Sequence, residues 1–136
     1  MSQAAEKPRR DCAITPYTML GGEAGVRRIV ERFYEIMDTD PEARDIRAMH
    51  PADLGDVREK LFEFLSGWLG GPALYHQRTD RRCIVSAHSA FEIGPTERDQ
   101  WLYCMRVALK DLGLPVEVRT YLDDPLFRLA DFFRNR

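Results

Sequence analysis

The sequence predicts one all-α domain, and three observations predict it. Apolar residues recur at steps of three and four along four long stretches, which is the spacing of one helix face. Proline and glycine fall between those stretches, at the positions where they start and stop helices. No run of alternating apolar and polar residues, flanked by hairpin turns, is long enough for a sheet. With 136 residues, 44% of them hydrophobic and 31% charged, the chain is of ordinary globular composition and suffices for one core around a cofactor of modest size.

Residues 1–13 read as a flexible polar extension, because Pro8 and the charges around it leave no periodic apolar face to bury; the domain proper is then 14–136. Thr15 and Pro16 form an N-cap and a first-turn proline, predicting a very short helix to Met19 or Leu20 that ends at Gly21-Gly22. From Glu23 to Asp38, Val26, Ile29, Val30, Phe33, Ile36 and Met37 make one wide stripe, bordered by Tyr34. Thr39-Asp40-Pro41 is turn chemistry, and Ile46 to Pro51 is expected to be a short connection carrying His50.

A further helix is expected from Asp53 to Leu69, with Leu54, Val57, Leu61, Phe64, Leu65 and Trp68 on one face and Gly70-Gly71-Pro72 as its stop. Between Ala73 and Ile93 the pattern weakens to loop plus one short helix. Pro95 opens a helix whose face is Trp101, Leu102, Met105, Ala108, Leu109 and Leu112, up to Gly113. The last helix starts after Pro115 and turns Leu122, Leu126, Leu129, Ala130 and Phe133 inward, while Asp124-Pro125 is expected to kink or split it.

The charge balance excludes several classes of partner. Twenty basic against 22 acidic residues leave a net charge of -2, with no strong pull toward nucleic acid or anionic lipid. Cys12, Cys83 and Cys104 are odd in number and lack zinc-like spacing, which fits reduced thiols in a cytoplasm. There is no apolar run of the kind a signal peptide or a membrane span needs, so a cytoplasmic location is expected. Nucleophile elbows, P-loops, HExxH zinc motifs and calcium loops are all missing from the sequence.

Chemistry therefore rests on a few histidines and aromatic residues. His76, beside Gln77, Arg78 and Asp80, reads as surface; His50, in a loop before a proline, reads by position as surface or cap. His88 follows Ile84-Val85-Ser86-Ala87, a segment able to pack inward while facing a pocket. By spacing alone it is either a surface histidine or a ligand. One imidazole without neighbouring His, Cys or carboxylate cannot close a four-ligand zinc site. It can hold a haem iron, whose porphyrin already supplies four donors. Tyr34, Trp68 and Trp101 are either core or cofactor wall, but the Tyr34 hydroxyl and the Trp101 indole N–H each need a partner when buried.

Four stretches then carry a resemblance: Arg32-Phe33-Tyr34, Met49-His50-Pro51, the block from Phe64 to Pro72, and the run from Glu97 to Met105. Over roughly residues 15 to 134 the chain resembles the group II truncated haemoglobins, shortened globins whose helices stack two over two around haem. The resemblance implies haem b as cofactor, His88 as the proximal iron ligand, and Tyr34, His50 and Trp101 around the sixth iron position, with Val57 where ordinary globins place a distal histidine. It implies Leu54, Leu61, Phe64, Leu74, Phe91, Ile93 and Met105 as apolar haem walls, Trp101 beside them, and Lys60 as a partner for a haem propionate. Where the family commonly carries arginines before the proximal histidine this chain has Ser86-Ala87, and Ala90 replaces a common proline, so that Arg81 or Arg82 would serve as propionate partner.

The function expected on this footing is binding of oxygen and other diatomic gases at a five-coordinate iron, with tight binding and slow release. Such a protein suits oxygen-dependent chemistry, sensing or scavenging better than bulk oxygen transport. Two alternatives stand beside it: a haem enzyme removing nitric oxide or peroxide with the help of an unidentified reductase, and a haem-less globin-like sensor or interaction module. A monomer or homodimer is expected, without nucleic-acid or membrane partners.

Overall fold

The computed structural model describes residues 14–79 and 84–136, and every regular element among them is helical. In chain order these are α1 (Pro16–Met19), α2 (Gly22–Thr39), a 3-10 turn at Pro41–Ala43, α3 (Arg44–Ala48), α4 (Gly55–Trp68), a second 3-10 turn at Tyr75–Gln77, α5 (Ile84–Ser89), α6 (Pro95–Asp111) and α7 (Val116–Phe132). Helix α2 packs against α4, α6 packs against α7, and the contact of α2 with α6 joins the two pairs. That is the two-over-two arrangement expected from the sequence. The expected flexible extension, residues 1–13, lies outside the described residues, as do Arg81, Arg82 and Cys83.

Local chemistry explains the helix ends. Thr15 accepts from the Thr18 amide at 3.2 Å while the Thr18 hydroxyl accepts from the Thr15 amide at 3.0 Å, so even a one-turn helix has its first donors satisfied. Gly21 and Gly22 take φ values of 100° and 68°, the left-handed turn that throws the chain from α1 into α2. At Gly25 a side chain is forbidden for another reason: a Cβ there would run into the Leu20 carbonyl. The core then forms where the stripe of α2 meets α4 and α6, around fully buried Val26, Val30, Phe33, Phe62, Leu102 and Met105.

Two sequence expectations need correction. The stretch expected as a connection from Ile46 to Pro51 overlaps helix α3, whose exposed N-terminal amides are satisfied from a distance. Gln100 Oε1 accepts from the amides of Asp45 and Ile46, both at 3.1 Å, and no local signal announces a cap that lies 55 residues away. Asp124-Pro125 does not split the last helix, which runs unbroken from Val116 to Phe132. The proline deprives the Tyr121 carbonyl of its donor, but Tyr121 is 59% exposed and water can replace it, while Leu122 and Leu126 stay buried on either side. On the exposed face of the same helix Asp123 and Asp124 pair with Arg106 and Arg128.

Helix α4 also carries more than the single face expected. Val57, Leu61, Phe64 and Trp68 form one half-buried stripe, and Phe62, Leu65 and Leu69 form a second that is buried against the core, about 100° further round the helix. The first stripe is therefore left with one flank in the core and one flank open. No described helix is long and apolar enough to cross a membrane.

Candidate functional site

The open stripe of α4 is one wall of the candidate site. Tyr34 reaches that wall from α2: it is 5% exposed, more deeply buried than the border position expected, and its hydroxyl points at the Val57 carbonyl. The separation is 3.5 Å, at the outer limit of a hydrogen bond, so a buried donor is left poorly satisfied. Burial pushes the phenol well above its ordinary range, which keeps it protonated and a donor.

Trp101 comes from α6. Its ring meets Phe33 edge to face at 5.4 Å, and Phe33 meets Tyr34 in the same way at 4.9 Å, so one fully buried phenylalanine spaces the two polar aromatics. The half-buried Trp101 indole N–H makes no hydrogen bond to any described residue. Two donors from different helices thus stand near each other without adequate acceptors.

His50 closes this side just after α3. Its ring lies 6.1 Å from that of Tyr34, and Nδ1 is 2.7 Å from the Ile46 carbonyl. Desolvation holds the imidazole below its ordinary pKa, against the favourable Ile46 carbonyl, and the positive charge of Arg47 acts in the same direction as burial. His76, by contrast, is exposed, as expected of a surface residue.

His88, half-buried near the end of α5, is backed by an aromatic residue that sequence reasoning assigned only to the core. The ring of Phe133 stacks on it at 4.2 Å and 22°. The tail beyond Phe133 is stitched to the segment after α5: Asn135 Oδ1 accepts from the Ile93 amide at 2.8 Å, its Nδ2 donates to the Phe91 carbonyl at 2.7 Å, and its amide donates to the Ile93 carbonyl at 2.8 Å. Arg136 pairs with Glu92 beside this stitch. Partners 42 and 44 residues apart leave no periodic trace in a sequence.

The remaining expected wall residues are distributed as follows. Leu61, Phe64, Leu74 and Ile93 are half-buried, and Leu61, Phe64 and Leu74 pack by one side on the core. Leu54 and Met105 are buried within the core cluster itself, and Phe91 is 41% exposed. Lys60 Nζ sits 2.9 Å from Asp56 Oδ2 in an exposed pair. Arg82 falls outside the described residues. Below Phe64, whose ring meets Tyr75 edge to face at 6.3 Å, a half-buried pair joins Arg78 to Glu63 at 2.8 Å.

These residues fit a haem. A flat apolar macrocycle needs half-covered aliphatic and aromatic side chains on its flanks, which Val57, Leu61, Phe64 and Leu74 supply. It needs one imidazole, and the poorly satisfied Tyr34 hydroxyl and Trp101 N–H mark where polarity is wanted. Among the described residues there is no cluster of three His, Cys, Asp or Glu that would hold a metal by protein ligands alone.

Comparison with known proteins points the same way. The family model described as bacterial-like globin matches residues 15–135. Among curated proteins the chain is similar to the group 2 truncated hemoglobin YjbI of Bacillus subtilis (strain 168), with 34% identity over 107 residues, 79% of this chain and 78% of that one. Among solved structures it is similar to the cold-adapted truncated hemoglobin of the Antarctic marine bacterium Pseudoalteromonas haloplanktis TAC125, at 41% identity and a TM-score of 0.84 over 90% of this chain and 99% of that chain. It is also similar to the group II 2-on-2 hemoglobin of the plant pathogen Agrobacterium tumefaciens, at 40% identity and a TM-score of 0.83 over 91% and 96%.

Proposed function

This chain belongs to the bacterial-like globins, among the group 2 truncated haemoglobins whose cofactor is haem, and from that premise we propose that it captures oxygen tightly, with His88 as the residue that would hold the iron. The observation that carries the reading is the pair of donors, buried Tyr34 and half-buried Trp101, held around Phe33 without adequate protein acceptors. When bound, haem would supply an iron able to take up a diatomic gas and lend it electron density.

The chain's own residues decide how long such a ligand stays. A donor in a water-poor pocket stabilises negative charge far better than the same donor in water. Each good hydrogen bond to a charged acceptor contributes about 1.5–3 kcal/mol and slows escape roughly tenfold or more. Burial opposes ionisation of Tyr34, which keeps its hydroxyl a donor. The half-buried apolar stripe of α4 excludes water, and Phe133 fixes the plane of the His88 ring from behind.

Leu54, Leu61, Phe64, Leu74, Phe91, Ile93 and Met105 are the walls in this reading, with Trp101 beside them. Lys60 turns to a propionate at small cost, since an exposed pair such as Lys60–Asp56 contributes little; Arg82 is the second propionate partner. The globin unit spans 14–136, with 1–13 as its extension, and works in the cytoplasm.

The test is stopped-flow oxygen release from the double variant Tyr34→Phe, Trp101→Phe. Both positions stay aromatic while the hydroxyl and the indole N–H go, so dissociation accelerates by well over an order of magnitude. Release at the unchanged rate would refute the role of the two donors.

A further inference from the structure

We propose that Arg47, anchored by Asp38, is a positioning residue that locks His50 into the pocket as a hydrogen-bond acceptor. The inference concerns the distal side of the pocket described above and rests on that reading. It departs from the sequence expectation in one respect, since His50 was expected to face the ligand as a further polar contact beside two donors.

The lock has two parts. A carbonyl oxygen can only accept, so the 2.7 Å contact between His50 Nδ1 and the Ile46 carbonyl requires the proton on Nδ1. In a neutral ring the other nitrogen, Nε2, then keeps its lone pair. Desolvation and the neighbouring Arg47 charge both favour the neutral ring. His50 thus has its one donor spent on the backbone of α3 and an acceptor left for the side where it meets Tyr34.

Arg47 supplies the second part. Its guanidinium donates to three successive carbonyls of the loop that carries His50: Nη1 to Pro51 at 3.0 Å and, marginally, to His50 at 3.5 Å, and Nη2 to Ala52 at 3.1 Å. Its Nε donates to Asp38 Oδ1 on α2 at 2.9 Å. One planar fork therefore ties the loop to the helix that bears Tyr34, and only arginine has the geometry to reach all of these acceptors at once. The consequence for ligand choice is a pocket of mixed polarity. Tyr34 and Trp101 donate, which suits a ligand that gathers negative charge, while His50 accepts, which suits the Tyr34 hydroxyl or a small ligand that carries a proton of its own.

The experiment uses the full chain labelled with nitrogen-15 in histidine, treated with hemin and reduced under carbon monoxide so that it is diamagnetic. His50 is assigned as the signal lost in His50→Gln. Near neutral pH its ring is expected as a single neutral tautomer with the proton on Nδ1. In Arg47→Met that tautomer is lost to a mixture of the two neutral forms, and Asp38→Asn moves the signal the same way. A proton on Nε2 in the unaltered chain overturns the proposal, as does a wild-type signal in both variants. If Arg47→Met does not fold, Asp38→Asn, which keeps the arginine, decides alone. The absorption spectrum of the same sample keeps the two readings apart. A missing Soret band with the expected tautomer sinks haem capture and leaves the lock standing, and a normal Soret band with the wrong tautomer does the reverse.

Discussion

Tyr103 donates its hydroxyl to Asp40 Oδ2 at 2.6 Å, and Asp40 Oδ1 in turn accepts from the Glu42 amide at 3.0 Å. A single carboxylate so caps the 3-10 turn and ties α6 to the corner leading into α3 and His50. The shared hydrogen bond holds the Asp40 carboxyl below its ordinary range and pushes the Tyr103 phenol up to about 12. For Asp40 the folded value lies below the unfolded one, so its contribution is present above the unfolded value of 3.8 and lost as pH falls through the folded value. Thermal melts of Tyr103→Phe should accordingly lie below those of the unaltered chain at neutral pH, with the gap closing as the solution is acidified past that range. A gap independent of pH would mean that the hydroxyl's partner is something other than the ionised carboxylate.

Helices α1 and α2 meet so closely that Gly25 leaves no room for a side chain against the Leu20 carbonyl. Neither neighbour is the end of a flexible side chain, so the strain cannot be relieved by a rotamer change. Gly25→Val should cost about 3 kcal/mol or more, read from chemical denaturation; a cost within a few tenths would show that the two helices can separate freely. Helix α5 poses the opposite problem, as a short element backed by Phe133 and followed by a segment that Asn135 stitches down. Asn135→Ala removes two side-chain hydrogen bonds of about 1 kcal/mol each. Faster hydrogen exchange at the Ile93 amide is the expected result, and unchanged protection there would show that the stitch contributes nothing to holding the segment after His88.

At the scale of the molecule, what could be read in the sequence follows from what is local. Val26, Val30, Phe33 and Met37 on α2, and Leu102, Met105 and Ala108 on α6, are all nearly inaccessible, as their three- and four-residue spacing implied. Thr15, Pro16 and the two glycines after them marked α1 by their own chemistry. Helix α3 escaped notice because its cap, Gln100, belongs to another helix, and Phe62 did because α4 presents two faces rather than one. The same division runs through the site. Tyr34, His50, His88 and Trp101 are proposed from motifs, whereas the Phe133 stack, the Asn135 stitch and the Arg47 fork join residues by folding or through backbone carbonyls that carry no sequence signal. The central claim is that one imidazole on α5 holds the iron. Ferrous absorption spectra of the hemin-loaded chain and of His88→Ala, recorded side by side, test it most directly: a Soret band typical of a histidine-ligated globin is predicted for the first and its loss or displacement for the second, and superimposable spectra would contradict the account.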